Sequence, residues 1–555
     1  MPDPALRFAV APDQGGAFRR RMRALRVLVL APREALAILR ARLAGKRVRG
    51  RQARAALVGL DHHGLWLEPW AQARLTAPGG EPSQRGLAVE ADLRFPGDLH
   101  RPGTAPVVVL NAPGHTLLPG AVAQVCVAFD RHPHFQALYG DALLIRADGA
   151  AMPLLRPAFD PDYLMAVDYI GPVIAFRRSA LDALGSETKS PAESRATDLV
   201  LRLAERFGNS AVGHLPRPLS RATLAAAGEG EPAAHRAVIR AVLQRTGNGA
   251  VDVVAEPDGV LTLRRPLPLE HPLVSLIVPT RDRLDLLRPC IASLLGRTDW
   301  PAREILICDN DSREPETRAY LRDLEARGLA RIVPCPGPFD FAGMNNAAAR
   351  LARGHVLAFV NNDVEAKAPD WLERLVREAL RPEVGAVGAK LVDGRGRIQH
   401  GGVLLGPGGL VTHAHRFFPG DAPGYLAGLR ATRAVSAVTA ACLVVEARKF
   451  AQVGGFDAQT FAVDFNDVDL CLRLGQEGYR TLFVPGAVLD HFEAASRRWT
   501  PGARARHLRE VAAFQKRWGP LLAQDPHYHP GFDPDLGTYA RLRPDWPGAG
   551  PIALR

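Results

Sequence analysis

Leu273-Val-Ser-Leu-Ile-Val278 is an apolar run interrupted only by Ser275, and Pro279-Thr280 breaks it. A strand with one wet face alternates apolar and polar residues. A run apolar nearly throughout suits a parallel strand covered on both faces. Working outward, Leu284, Leu287, Ile291 and Leu294 place an apolar stripe on a helix, with a kink expected at Pro289. Glu304-Ile-Leu-Ile-Cys308 reads as a second strand and ends in Asp309-Asn310-Asp311-Ser312. Arg331-Ile-Val333 reads as a third, and His355-Val-Leu-Ala-Phe-Val360 as a fourth, ending in Asn361-Asn362-Asp363. Strand alternating with helix predicts an open parallel sheet. Ligands in such sheets bind beyond the carboxyl ends of the strands. The polar residues after strands one, two and four all fall there, so their loops converge on one crevice.

The chain has 555 residues, 47% hydrophobic and 23% charged. That supplies apolar material for several domains and excludes global disorder and coiled coil. Lys and Arg outnumber Asp and Glu by 70 to 58, a net charge of +12. Thirteen of the basic residues and a single acid, Glu34, lie between Arg19 and Arg54, so the remainder balances at 57 against 57. The basic excess belongs to one arm and not to the body of the protein. Within the arm, Pro32 suits the first position of a helix and Gly45 the residue just past its end. Leu36, Leu39 and Leu43 recur at helical spacing, with Arg33, Arg40 and Arg47 on another face. Such a helix either lies on an anionic membrane through 19–54 or docks its leucines on the protein. No aromatic residue interleaves with the basic ones after Phe18, so no nucleic-acid partner is expected.

No signal peptide is read at the start, because the run Leu25–Ala31 is short and polar-flanked. The longest later run, Ala437–Val445, is about half a membrane span. The six cysteines form no C-x-x-C pair and sit mostly in apolar runs, as in a reducing compartment. The expectation is a cytoplasmic protein, peripheral at the inner membrane face at most. Punctuation by Gly and Pro divides the chain into a basic helical arm (1–56), a small β-rich region (57–105) and an α/β module (106–225). A linker with a helix (226–271), the informative domain (272–500) and a helical or irregular tail (501–555) follow.

Pro272-Leu-Val-Ser-Leu-Ile-Val-Pro-Thr-Arg-Asp282, Cys308-Asp-Asn-Asp-Ser312, Phe359-Val-Asn-Asn-Asp363 and Phe465-Asn-Asp-Val-Asp-Leu-Cys-Leu-Arg473 resemble, in this order, family-2 glycosyltransferases with the GT-A fold. Upstream, Val108-Val-Leu-Asn-Ala-Pro-Gly114, Tyr139-Gly-Asp-Ala142 and Phe159-Asp-Pro-Asp-Tyr163 resemble the N-terminal module of two-module bacterial polysaccharide enzymes of the O-antigen type. That module departs from the pattern. Acidic clusters are expected where this chain has Asn111-Ala112-Pro113-Gly114 and Gly140-Asp141-Ala142, so a degenerate GT-A-like module is expected before the catalytic one.

The resemblance implies an inverting, metal-dependent transfer of a sugar from a nucleotide-diphosphate donor to a growing bacterial surface glycan, carried as a lipid-linked acceptor. It implies that Asp363 holds Mg²⁺ or Mn²⁺, completed by His491 in Asp490-His491-Phe492. Asp309 would read the nucleoside, with Thr280, Asp282, Asn346, Asn362 and Lys390 lining the donor pocket. Asp467 would take the acceptor proton, and Asp469 would be a charge on the first turn of a helix. Arg497 and Arg498 would clamp the diphosphate, and His400, His413 and His415 fall on the acceptor side. The other reading is a non-catalytic glycan-assembly scaffold on the same fold. A nucleotidyltransferase is disfavoured, because Pro279-Thr280-Arg281-Asp282 is not its Gly-rich basic signature.

Overall fold

Two α/β layers with similar wiring make up the body. The computed structural model describes residues 32–43, 91–94, 103–145, 151–171, 173–185, 194–223, 232–492, 500–533 and a few single positions. The first sheet holds β1 (Ala91–Arg94), β2 (Val107–Asn111), β3 (Thr116–Leu117), β4 (Ala137–Ile145), β5 (Ala151–Leu154), β6 (Val173–Arg177) and β7 (Val212–Thr223). Its order is β1-β2-β6-β4-β7-β3, with β5 on β4. Asp258-Gly259 turns a linker hairpin of β8 (Asp252–Ala255) and β9 (Leu261–Arg264).

The second sheet opens with β10 (Val274–Thr280), β11 (Arg303–Asp309), β12 (Arg331–Pro334), β13 (Val356–Val360), β14 (Val364–Ala366), β15 (Val384–Val392) and β16 (Ile398–His400). After a small hairpin, β17 (Val403–Leu405) and β18 (Val411–His413), come β19 (Arg433–Ala434), β20 (Cys442–Glu446) and β21 (Arg480–His491). Its order is β12-β11-β10-β13-β20-β15-β21-β14. β12, β11, β10 and β13 are parallel, as the apolar runs predict, and β10 is buried at every position. This is the mixed, mostly parallel α/β sheet expected for GT-A. β10 does not stop at Val278. Thr280 C=O accepts from Asn310 N–H on the β11 side, so by alternation Pro279 faces the opposite edge. There β13 stops pairing at Ile277, and no partner misses the absent N–H.

The two sheets match strand for strand. In chain order β2, β3, β4, β5, β6 and β7 pair as β13, β14, β15, β16, β20 and β21 do, down to the parallel β4–β7 and β15–β21 pairs. The helices Arg195–Phe207 and Asn466–Gln476 take the same place before the last strand of each. β1 stands where β10 stands, and nothing among the described residues stands where β11 and β12 do.

Charged and polar contacts join the two halves. Asp160 accepts from Ala434 N–H at 2.6 Å, and Arg480 bridges Asp160 and Asp162 at 2.7 Å each. Arg381 and Arg265 also reach Asp162, at 2.8 and 3.4 Å. The motif Phe159-Asp-Pro-Asp-Tyr163 is thus spent on docking, and Tyr163 adds a hydrogen bond to Leu426 C=O at 2.7 Å. The tail closes the contact from the other end. Asp141 lies between His214 (3.1 Å) and His529 (2.9 Å), all three buried. These three form a group with ligand atoms within 4.8 Å of one another. His529 Nδ1 accepts from Gly531 N–H at 2.8 Å, which puts its proton on Nε2, facing Asp141. A metal would need that nitrogen bare, so the arrangement is a hydrogen-bonded clasp.

In the arm, the helix Pro32–Leu43 forms where expected. Leu36, Leu39 and Leu43 are 46%, 51% and 80% exposed, so they are not docked on the described body. The root of the arm is anchored: Gln52 is buried and donates to Thr412 Oγ1 on β18 at 2.9 Å. No helix among the described residues is long and apolar enough to cross a membrane.

Candidate active site

The loops after β10, β11 and β13 meet as their polar ends require. Asn362 donates to Thr280 Oγ1 at 2.9 Å, tying the β13 loop to the end of β10. Asp282 sits at φ 53, a conformation that Asp tolerates better than most residues. Its carboxylate accepts from Arg313 and Glu314 N–H, so it braces the β10 and β11 loops against each other. Asp309 ends β11 and accepts from Ser312 N–H at 3.1 Å through one oxygen. Thr280, Asp282, Asp309 and Asn362 therefore stand in one hydrogen-bonded wall.

Asp363 and His491 face each other across the β14–β21 pair, Oδ1 to Nε2 at 3.2 Å. Both are nearly buried, and Phe492 N–H donates to Asp363 C=O at 3.0 Å. Adjacent ligands of an octahedral Mg²⁺ at about 2.1 Å lie about 3 Å apart. The spacing and the O and N donors therefore fit one divalent ion.

Asp467 opens the helix Asn466–Gln476. Its carboxylate accepts from Ala440 N–H at 3.0 Å and Val468 N–H at 2.9 Å. The neighbouring Ala441 C=O accepts from Asn361 N–H at 3.0 Å. Two short links thus join Asp467 to Asn361-Asn362-Asp363. Burial pushes the Asp467 carboxyl up, against the backbone donors that lower it.

Two expectations do not hold in place. Asn346 is consumed by Phe456, donating to its C=O at 2.8 Å and accepting from its N–H at 3.0 Å, so it pins a loop and lines no donor pocket. Lys390 opens instead into a separate cavity with Glu256, Arg430 and Val488. A strand alternates faces, and the register shift between Ala389 and Lys390 re-aims the side chain. Asp469 is the first-turn charge expected, turned into the domain. It is 0% exposed and accepts from Arg473, Arg517 and the Trp518 indole, anchoring the helix Pro501–Leu522. Arg497 and Arg498 lie outside the described residues.

On β16 and β18, His400 and His413 share one proton, Nδ1 to Nδ1 at 2.8 Å. Burial, then the charges of His491, Arg416 and Arg433, push His400 down to about 3, and burial lowers His413 as well. Both are neutral at pH 7. Their contact was not legible in sequence, because it depends on the β17–β18 hairpin folding back on β16. His415 instead stacks on Tyr539 of the tail at 4.6 Å.

The model of glycosyl transferase family 2 matches residues 275–405. This chain is 30% identical over 256 residues to N-acetylglucosaminyl-diphospho-decaprenol L-rhamnosyltransferase of Mycobacterium tuberculosis, covering 40% of this chain and 78% of that one. The chain belongs to glycosyl transferase family 2. It is also 37% identical over 425 residues to the O-antigen biosynthesis protein RfbC of Myxococcus xanthus, and 36% over 441 residues to the protein y4gI of Sinorhizobium fredii. These matches take in 75% and 77% of this chain but span only 33% and 48% of those longer relatives.

Proposed function

We propose that this chain transfers a sugar from a nucleotide-diphosphate donor to a bacterial surface glycan, with inversion. The observation that carries the reading is the linkage of Asp467 through Ala440-Ala441 to the Asn361-Asn362-Asp363 loop, opposite His491. Asp309 and the Thr280–Asn362 wall would hold the nucleoside and sugar. Asp363 and His491 would hold Mg²⁺ or Mn²⁺, which when bound supplies charge stabilisation for the diphosphate leaving group. Asp467 would accept the acceptor hydroxyl's proton as that oxygen attacks the anomeric carbon from the face opposite the diphosphate. Its half-buried setting keeps it basic enough for that task, and its two backbone donors fix its orientation.

Among the described residues the N-terminal layer has no equivalent set. The loop after β2 is Asn111-Ala112-Pro113-Gly114 where the second layer has Asn361-Asn362-Asp363, and β7 ends in Thr223 where β21 ends in His491. We read it as a former transferase kept as a docking partner. The exposed leucines and basic residues of the arm support contact with an anionic membrane, where a lipid-linked acceptor would stand. The test is a panel of nucleotide sugars with purified protein and Mn²⁺ or Mg²⁺, read as release of nucleoside diphosphate. Turnover with one donor names sugar and base together. Neither binding nor turnover across the panel would favour the scaffold reading.

A further inference from the structure

A cavity of about 680 Å³ lies apart from the crevice just described, between the β8–β9 hairpin, the helix Trp371–Ala379 and the outer edge of β21. Its size falls in the range of small-molecule sites. Among the described residues its lining includes none of Thr280, Asp309, Asp363, Asp467 or His491. Most of its charges are already matched. Arg374 pairs with Asp370 at 2.7 Å, Arg377 pairs with Glu373, and Glu378 is held by Arg381 at 2.7 Å. At the hairpin end Glu256 accepts from Thr262 Oγ1 and Asp258 from Val260 N–H.

Lys390 is different. It is only 6% exposed, it lines the cavity, and among the described residues its ammonium has no hydrogen-bond or ion-pair partner. Its stem is buried while its ammonium end opens into the cavity, where it offers an unmatched charge to an entering anion. Arg430 stands beside it, its guanidinium bonded among the described residues only to the backbone carbonyl of Asp421. Burial first, then Arg430, pushes Lys390 down to about 8, with Asp421 acting weakly the other way.

We propose that this cavity binds an oxyanion-bearing sugar, with the phosphate or carboxylate on Lys390 and Arg430 and the hydroxyls toward Glu256 and Asp258. Lys390 pairs with Val488, three residues before His491 on β21, so the cavity lies about 10 Å along the strand from the proposed metal ligand and, by alternation, on the opposite face of the sheet. The binding site does not rest on the transferase reading.

The chain has six lysines, at 46, 189, 367, 390, 449 and 516, so ¹³C-methylation yields few resonances. The Lys390 signal is identified by its loss in Lys390→Arg. Full-length protein is titrated with inorganic phosphate, glucuronate or chloride, in EDTA so that no divalent ion contributes. Phosphate or glucuronate should shift the Lys390 signal and raise its titration midpoint above about 8, as an adjacent anion favours the charged form. The tighter of the two names the source. Arg430→Gln, an exposed position that leaves folding intact, should weaken the same response about tenfold, the value of one charge-assisted hydrogen bond. A Lys390 signal unmoved by both anions, or moved equally by chloride, would overturn the proposal, and so would an unaltered response in Arg430→Gln. Anion binding without donor turnover would count against the transferase reading and leave this site standing.

Discussion

Asp467 carries the sharpest residue-scale consequence. Asp467→Asn keeps the shape and the Ala440 contact geometry but removes the base, so kcat should fall at least about 100-fold while donor binding by calorimetry is unchanged. A similar loss of donor affinity would mean that the carboxylate holds substrate and not the proton. Burial raises this group, and a base works only when ionised. Activity should therefore be lost as pH falls, with a midpoint above the ordinary aspartate value of about 3.9. A midpoint at or below that value would remove Asp467 from the role.

The helix Pro501–Leu522 and the strand β15 show how elements hold the crevice in shape. Trp518 and Phe514 are buried against the domain, and Asp469 receives the Trp518 indole and Arg517 from below the catalytic helix. Asp469→Ala would leave those donors and Arg473 without their acceptor, costing about 3 kcal/mol, read as a lower denaturation midpoint. Because Asp469 shares its helix with Asp467, kcat should fall with it. Gly388 on β15 faces Val438 so closely that an added Cβ would lie 2.4 Å from the valine Cβ. Gly388→Ala should cost about 1–3 kcal/mol, as overpacking does, and an unchanged midpoint would show that the Val438 loop yields.

The whole molecule is held as one unit by contacts far apart in sequence. Arg480 belongs to the catalytic sheet, while Asp160 and Asp162 come from the first layer. Arg480→Ala would leave buried Asp160 without its cation while Asp162 keeps Arg381 and Arg265, so a loss of about 3 kcal/mol is expected. Unfolding should stay a single transition, because the Asp141–His529 clasp and this network tie the layers together. Two separated transitions would show that the layers are independent. At the same scale the arm predicts a membrane response. Anionic vesicles should bind the full chain in a salt-sensitive way and release a form lacking residues 1–56. Equal binding by both forms would assign the arm's charge to another use.

Local chemistry made much of this legible in the chain. The apolar run Leu273–Val278 can be stable only with both faces covered, and Asp309 and Asp363 must then fall at strand ends. The same local logic placed the helix starting near Asp467, the hairpin at Asp258-Gly259 and the helix in the basic arm. It failed where one side chain had more than one direction open to it. Whether Lys390 faces the donor or a second cavity depends on a register shift, and whether Asn346 meets ligand or Phe456 depends on a loop more than 100 residues away. The likeness of the two layers was signalled only by the resemblance of Val108–Gly114, Tyr139–Ala142 and Phe159–Tyr163, because pairing order is a property of non-local contacts. So was the use of Asp160, Asp162 and Asp141 as docking groups: a buried carboxylate needs partners, and only the folded chain decides which arginine or histidine arrives.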